Sequence, residues 1–406
     1  MTTSKLQSYP RGAPPTLILR NVQDRDVAAD WLASGVVALT GHPDGPALLP
    51  SGRAASAAAE LGGLFGVDGA ALLGERAAFT GRGRAGRISV GGGCRLLPLA
   101  SGWAAVSCVR PDDVALLGAL VEEALPDADP WPRLGEALAE MPPDTVDERA
   151  ELLGVAAAAV RTPGMSAVSD VAPALPRAVE GLLVVSFGAL WAAPLCAQLL
   201  ADRGARVVTV ETPQRPDGAR HGDPDFHALL HAGDRAVLLD PVMDREALHA
   251  LVRAADVVIE ASRPRALRGF GLDADAEVAR GATWISITAA GRDSDRVGFG
   301  DDVAAAAGLV VQDADGLPVF VGDAIADPLT GLTAAARALT GPGLLHDVAM
   351  ADVVAATLDG TPGGPVTELQ ARSVAAPRAR PVRGRAPAAG ADTAAVLDEL
   401  GIRWRC

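Results

Sequence analysis

Lysine is almost absent from this chain. Lys5 is the only one in 406 residues, and the remaining basic charge is arginine. Lysine chemistry is thereby excluded in practice, because Lys5 lies in an N-terminal stretch of the kind that frays. Basic residues are also outnumbered, 36 against 50 acids, for a net charge of −14. A general nucleic-acid binder carries the opposite balance. Cysteine is scarce: Cys94, Cys108, Cys196 and Cys406 stand far apart and form no C-x-x-C pair. That argues for a reducing compartment and against a disulfide framework or zinc site. The opening MTTSKLQSYPRGAPP lacks the apolar region of a signal peptide, and Arg, Asp or Pro interrupts every apolar run short of membrane-spanning length. The expectation is a cytoplasmic protein with no metal, no nucleic acid and no membrane partner.

About half of the residues, 49%, are hydrophobic, so the chain can build more than one core. The legible part is 176–360. Residues 182–187 (LLVVSF) form a buried-strand run, 190–202 a helix and 204–211 (GARVVTVE) a second strand. AVLLD (236–240), a helix over 244–254, ADVVIEAS (255–262) and ATWISIT (282–288) continue the alternation. Short apolar strands alternating with helices predict an α/β fold with a Rossmann-like parallel sheet in the large domain. Glu211 ends the second strand where a ribose-binding acid would stand. The loop after the first strand, however, reads FGALWAAP, and Leu190, Trp191 and Pro194 replace the glycines a dinucleotide pyrophosphate needs.

Residues 1–165 read differently, as a region containing a smaller α+β domain. AELLGVAAAAV (150–160) predicts a helix, and 86–109 predicts a glycine-rich loop followed by a hairpin turning at Ser101-Gly102. Residues 161–176 read as a linker. Residues 361–406 form a Pro/Arg/Gly-rich extended segment closing in a short helix over 391–401. A faint repeat relates ASGVVALTGHPDGPALL (33–49) to AAGLVVQDADGLPVF (306–320), each leading into an Ala-rich helix.

After the second copy comes AIADPLTG, with Asp327 directly before Pro328. One reading is a helix cap, with Asp at the N-cap, Pro at the first turn and a helix over 329–339. The other is a nucleophile. The residues alone leave both open.

Several blocks in order resemble one family, the class III CoA-transferases of the CaiB/BaiF type. VVSFGALWAAPLCAQLLADRGARVVTVE is similar to the family's opening βαβ unit. LLHAGDRAVLLD, ADVVIEASRPRALRGFGLD and TGPGLLHDVAMADVV resemble later blocks, and AIADPLTG falls where the family keeps a catalytic aspartate. The resemblance covers most of 178–357. GGGCRLLPLASGWAAVSC (91–108) resembles the entry to the family's small domain, yet here it precedes the α/β part. That order implies a permuted or degenerate-tandem chain: a degenerate first copy with the small domain in 1–165, the transferase domain in 176–360, and a C-terminal segment in 361–406.

The resemblance implies that Asp327 attacks an acyl-CoA thioester, so that coenzyme A passes to a carboxylic acid through an aspartyl-CoA thioester. It implies that the helix N-terminus keeps Asp327 ionised at neutral pH. Gly92 and Gly93, with Gly91, would be the family's glycine loop beside the acyl group. Arg235, Arg263, Arg265, Ala266, Arg268, Gly300 and Asp301 would line the CoA site, and Trp191 would face the acyl pocket. Asp234 stands where the family has a lysine, against phosphate contact by that loop. The Gly300-Asp301-Asp302 block lacks the His that α-methylacyl-CoA racemases pair with the aspartate. A racemase, and a non-catalytic CoA-binding protein, are the alternatives. The family's members are interlocked dimers, so the resemblance also implies a homodimer.

Overall fold

The computed structural model describes residues 26–161, 176–262 and 264–404. Arg263 and most of the 161–176 linker lie outside the described residues.

The apolar runs of the second half form one parallel sheet. Its strands are β1 (Leu183–Phe187), β2 (Arg206–Glu211), β3 (Arg235–Leu238), β4 (Val257–Glu260), β5 (Thr283–Thr288) and β6 (Leu345–Ala349). They lie in the order β6-β5-β4-β1-β2-β3, the doubly wound Rossmann arrangement. In register, Val185 of β1 stands between Val208 of β2 and Val258 of β4. Alternate residues feed two cores, because strand side chains alternate in direction. Val184, Val207 and Val257 join the face covered by helices Ala192–Ala201 and Ala326–Ala338. Val185, Val208 and Val258 join the face covered by helix Arg245–Ala254 and the C-terminal helix Thr393–Glu399. Burial on both faces explains why these strands read as continuous Val/Ile runs.

Helices Ala192–Ala201 and Ala326–Ala338 approach closely, and glycine permits it. A Cβ on Gly331 would stand 2.6 Å from the Ala192 carbonyl oxygen.

The edge strand β3 is closed by the chain's end. Asp392 accepts from the Ala236 amide at 2.9 Å and the Thr393 hydroxyl from the Leu238 amide at 3.0 Å. Capping these donors removes the free edge on which another strand could pair.

The smaller α+β unit is an antiparallel sheet, Cys94–Pro98, Trp103–Ser107 and Ala157–Ala159, packed by helices Asp113–Val121, Trp131–Leu138 and Pro143–Leu153. It has its own core around Leu117, Leu120, Leu134, Leu138 and Val146. The hairpin turns at Gly102 (φ +81°), as its sequence predicts. The predicted helix over 150–160 does not form as one piece. It stops at Gly154, which takes φ +67°, and Ala157–Ala159 then pairs with Ala104–Val106. A sheet edge awaiting a strand outweighs the helix preference of alanine.

Residues 26–80 share the core of the α/β half: Trp31, Leu61 and Leu72 pack with Leu195, Leu329 and Leu332. The two halves of the apparent repeat differ in form. Val310–Gln312 and Pro318–Phe320 make a hairpin, whereas the earlier stretch makes a 3-10 turn at Val37–Leu39 and a short strand, Leu48–Leu49, paired with Gly364–Pro365. Among the described residues no helix is long and apolar enough to cross a membrane.

Candidate active site

Helix Ala326–Ala338 begins earlier than the predicted 329–339, with its N-cap two residues ahead of Asp327. Its N-cap is Ile325, so Asp327 stands inside the first turn and caps nothing with its side chain. The Asp327 amide already donates to the Ala324 carbonyl at 2.9 Å, and Pro328 has no N–H. The helix start therefore offers fewer free donors than a cap reading supposes.

Ala324 adopts φ +48°, a conformation that costs a non-glycine residue about 1–3 kcal/mol unless its surroundings enforce it. Asp301 enforces it, accepting from the Ala324 amide at 2.8 Å. Gly300 then abuts Asp327: its N–H donates to the Asp327 carboxylate, and a Cβ at this position would collide with Asp327 Oδ2. Gly300 and Asp301, both predicted from sequence, are thus brought directly to Asp327.

Behind them lies a layer of charge. Asp323 is 1% exposed and held by Arg76, whose Nε donates to Asp323 Oδ2 at 2.9 Å and whose second nitrogen donates to Oδ1. Burial pulls the Arg76 guanidinium down, but Asp323, with Asp301 and Asp327 nearby, more than reverses this. The glycine loop reaches the same layer, because Gly91 packs beside the Arg76–Asp323 pair. The loop is not an open set of donors: the Gly92 amide donates to the Ser89 carbonyl at 2.8 Å, and the Gly93 carbonyl accepts from Cys108 at 2.8 Å.

Three carboxyls for one arginine leave the cluster short of cations. Burial pushes Asp327 up to about 7, with Asp301 and Asp323 adding to the rise and Arg76 and the Gly300 amide opposing it. Burial likewise pushes Asp301 up to about 6. Asp302, which accepts from the Ser107 hydroxyl at 2.6 Å and the Phe299 amide at 2.9 Å, rises to about 7. The expectation that the helix N-terminus keeps Asp327 ionised at neutral pH is therefore corrected: desolvation outweighs a dipole contribution of about 0.3–1 kcal/mol.

Asp327 is half-buried, and its exposed edge opens into a cavity of about 290 Å³. The walls come from the carboxyl ends of the strands: Ala189 and Leu190 after β1, Ala261 and Ser262 after β4, Thr288 at the end of β5 with Ala289 after it, and Met350 after β6. Between β1 and β4 the strand order reverses, and this crevice is where open α/β sheets take their ligands. Arg110, Arg215 and Arg296 also line it. Arg110 is paired with Asp113 and Arg296 with Asp147, while Arg215 is exposed and has no ion-pair partner among the described residues.

Other predicted residues lie elsewhere. Trp191 is 1% exposed, edge-on to Phe226 at 5.3 Å with the Arg76 guanidinium over its ring at 5.2 Å. It is a core residue, and Leu190, at φ +67°, takes the place on the cavity wall that Trp191 was expected to hold. Arg235 begins β3, at the sheet edge opposite the cavity, and pairs with Glu399 of the terminal helix. Arg265, Ala266 and Arg268 sit on helix Pro264–Gly269 beyond β4, and Arg265 pairs with Asp295 at 3.1 Å beside the cavity-lining Ser294 and Arg296. Asp234 is buried, accepting from Thr209 at 2.9 Å and contacting His231 at 3.0 Å, which removes it from any ligand-binding loop.

Sequence reasoning missed Arg76, Arg110, Arg215, Arg296 and Asp323. Only Arg215 carried a usable signal, following the carboxyl end of β2 in TPQRPDG. Arg76 and Arg110 reach the site from distant segments, while Asp323 and Arg296 stand four residues before Asp327 and Gly300 without a motif to mark them.

Residues 179–389, just over half of the chain, match the family model described as CoA-transferase family III. A succinate–glutarate CoA-transferase of Agrobacterium fabrum is 31% identical over 210 residues, 44% of this chain and 52% of that protein. A succinyl-CoA–D-citramalate CoA-transferase of Chloroflexus aurantiacus is 29% identical over 208 residues, 45% of this chain and 52% of that protein. The chain thus spans about half the length of these curated relatives. A solved CaiB/BaiF family protein from Brucella suis is 20% identical with a TM-score of 0.45, covering 55% of this chain and 100% of that one. By the family match over its sheet and the Asp327 helix, this chain belongs to CoA-transferase family III, the class III CoA-transferases.

Proposed function

We propose that this chain moves coenzyme A between an acyl-CoA thioester and a carboxylic acid, with Asp327 as the covalent carrier. The observation that carries this reading is the half-buried Asp327 carboxylate at the floor of a cavity in the sheet's switch-point crevice, with arginines on its walls. An Asp327 oxygen attacks the thioester carbonyl, the C–S bond breaks, and CoA leaves as thiolate, giving a mixed anhydride. The thiolate attacks the aspartyl carbonyl and releases the donor's carboxylate, leaving aspartyl-CoA thioester. The acceptor carboxylate repeats the two steps in reverse and departs as acyl-CoA, restoring Asp327. Each step exchanges one acyl bond for another, so the hard transfer is divided.

Within this reading Arg215, together with Arg110 and Arg296, faces the CoA phosphates, since guanidinium groups bind them bidentately. Arg265 and Arg268 lie farther out on the same side. Gly300 steadies the Asp327 carboxylate through its N–H, and Arg76 favours the anion that must attack. The racemase alternative needs a second acid–base across the α-carbon. Asp301 has the raised pKa, but its oxygens serve Ala324 and Ser89, which favours transfer. The chain is proposed to act as a homodimer, to be checked by light scattering.

The test is incubation with a panel of acyl-CoAs, trapping with hydroxylamine or borohydride, and peptide mass mapping. Label on Asp327 is the expected result. Deuterium uptake at Cα without label would select racemisation, and CoA binding with neither would leave only a binding protein.

A further inference from the structure

Helix Pro224–His231 places His227 and His231 one turn apart, so both imidazoles leave the same face, their rings 4.5 Å apart. Asp217, from the loop after β2, enters the same space. The three side chains are 8%, 5% and 3% exposed, taking His227, His231 and Asp217 in turn. His227 Nε2, His231 Nε2 and Asp217 Oδ2 are each buried without a hydrogen-bond partner among the described residues. The ligand atoms of this group all lie within 4.8 Å of one another, with His231 Nε2 and Asp217 Oδ2 3.7 Å apart. Three unpartnered lone-pair groups buried within 4.8 Å of one another are a costly arrangement, unless something accepts all three.

We infer that Asp217, His227 and His231 bind a first-row divalent cation, zinc foremost. Two imidazoles and one carboxylate suit a borderline ion and leave one position of a tetrahedral sphere for water. Donor atoms about 2.0–2.2 Å from such an ion lie roughly 3.3–3.6 Å from each other; the His231–Asp217 pair at 3.7 Å is close to this, and the wider separations, up to 4.8 Å, close on binding. The surroundings are those of a metal site. His231 Nδ1 lies 3.0 Å from Asp234 Oδ2, the carboxylate–histidine pairing that turns the other ring nitrogen toward a metal. Asp217 uses its other oxygen, Oδ1, to accept from the Leu190 amide at 3.0 Å and the Ala219 amide at 2.8 Å. Leu190 is the cavity-wall residue at φ +67°. The ion would therefore pin the β1 loop to helix Pro224–His231 from behind the cavity. The composition of the chain points to no metal, and this proposal runs against that expectation; it does not depend on the transferase reading.

The full chain, purified without a histidine tag and stripped with chelator, is titrated with zinc by calorimetry and with cobalt by visible absorption. One saturable ion per chain is expected, with tetrahedral cobalt bands and a rise of a few degrees in Tm. His227→Ala and Asp217→Asn should weaken binding by about 100-fold or more, and Asp234→Asn by about 10-fold. His249→Ala, on another helix, should leave it unchanged. Absence of a saturable ion overturns the proposal, as does binding that survives His227→Ala and Asp217→Asn, or cobalt spectra showing thiolate charge transfer. Because Asp217→Asn keeps the acceptor for Leu190, it remains informative if a histidine variant fails to fold. A rise in its Tm with zinc binding unchanged would assign the cluster to hydrogen bonding alone and overturn the proposal too.

Discussion

Glu211 and Asp327 are both carboxylates delivered into the protein at the carboxyl edge of the same sheet, and they are driven in opposite directions. Burial pushes both up. At Glu211 that push is outweighed by Arg220, which grips both of its oxygens, and by the Asp217 amide at 2.8 Å, so the group ends below its ordinary value. At Asp327 the nearest arginine, Arg76, is already committed to Asp323, and Asp301 adds a like charge, so the group ends near 7. One cluster has an arginine of its own for its acid; the other shares one among three. Depth alone does not decide ionisation; the local count of cations does.

The widest break in this comparison is Asp327→Asn. Turnover by the proposed route should fall at least about 10³-fold, measured with acyl-CoA and acceptor. Stability at pH 8 should be unchanged or higher, because a buried charge is removed. Glu211→Gln should act the other way round, leaving Arg220 without its anion and costing about 1–3 kcal/mol in denaturant unfolding.

The pH dependences separate the clusters further. Asp327, Asp301 and Asp302 hold protons in the folded state that the unfolded chain releases above about 3.8. Their contribution to stability therefore falls as pH rises from about 4 to 7, by up to about 1.4 kcal/mol per pH unit for each group. Glu211, depressed, contributes stability that is full above its unfolded value of about 4.5 and is lost as pH falls below that, through its lower folded value. Asp302→Asn should flatten the first slope in melts across pH 4–8, and Glu211→Gln the second in melts carried below about pH 4.5. Turnover should also rise about tenfold per unit up to about pH 7 and then level, because the attacking oxygen must be anionic. Arg76→Met should move that midpoint upward. The smallest effect is expected at Arg215→Ala, a several-fold rise in KM for acyl-CoA with kcat little changed.

Five strands of the large sheet were legible to within a residue or two, because Val/Ile runs buried on both faces look the same wherever they occur. The sixth, Leu345–Ala349, was visible only through the family resemblance, since LHDVA carries a histidine and an aspartate. The stretch AELLGVAAAAV misled because three alanines have no strand signal of their own; the sheet edge at Ala104–Val106 supplied it. Trp191 and Arg235 misled for a common reason. Position beside a motif says which loop or strand a residue belongs to, but not which way its side chain faces.

The sequence by itself determined the parallel α/β layer, the position of Asp327 at a helix start, and the family to which these blocks belong, because periodicity and ordered motifs are local properties. Only the tertiary structure decided that Asp327 is not a cap, that Arg76 and Asp323 stand behind it, and that Asp217 meets His227 and His231. Those arrangements join segments as far apart as residues 76 and 323, and their electrostatics arise from burial, which no stretch of sequence carries alone.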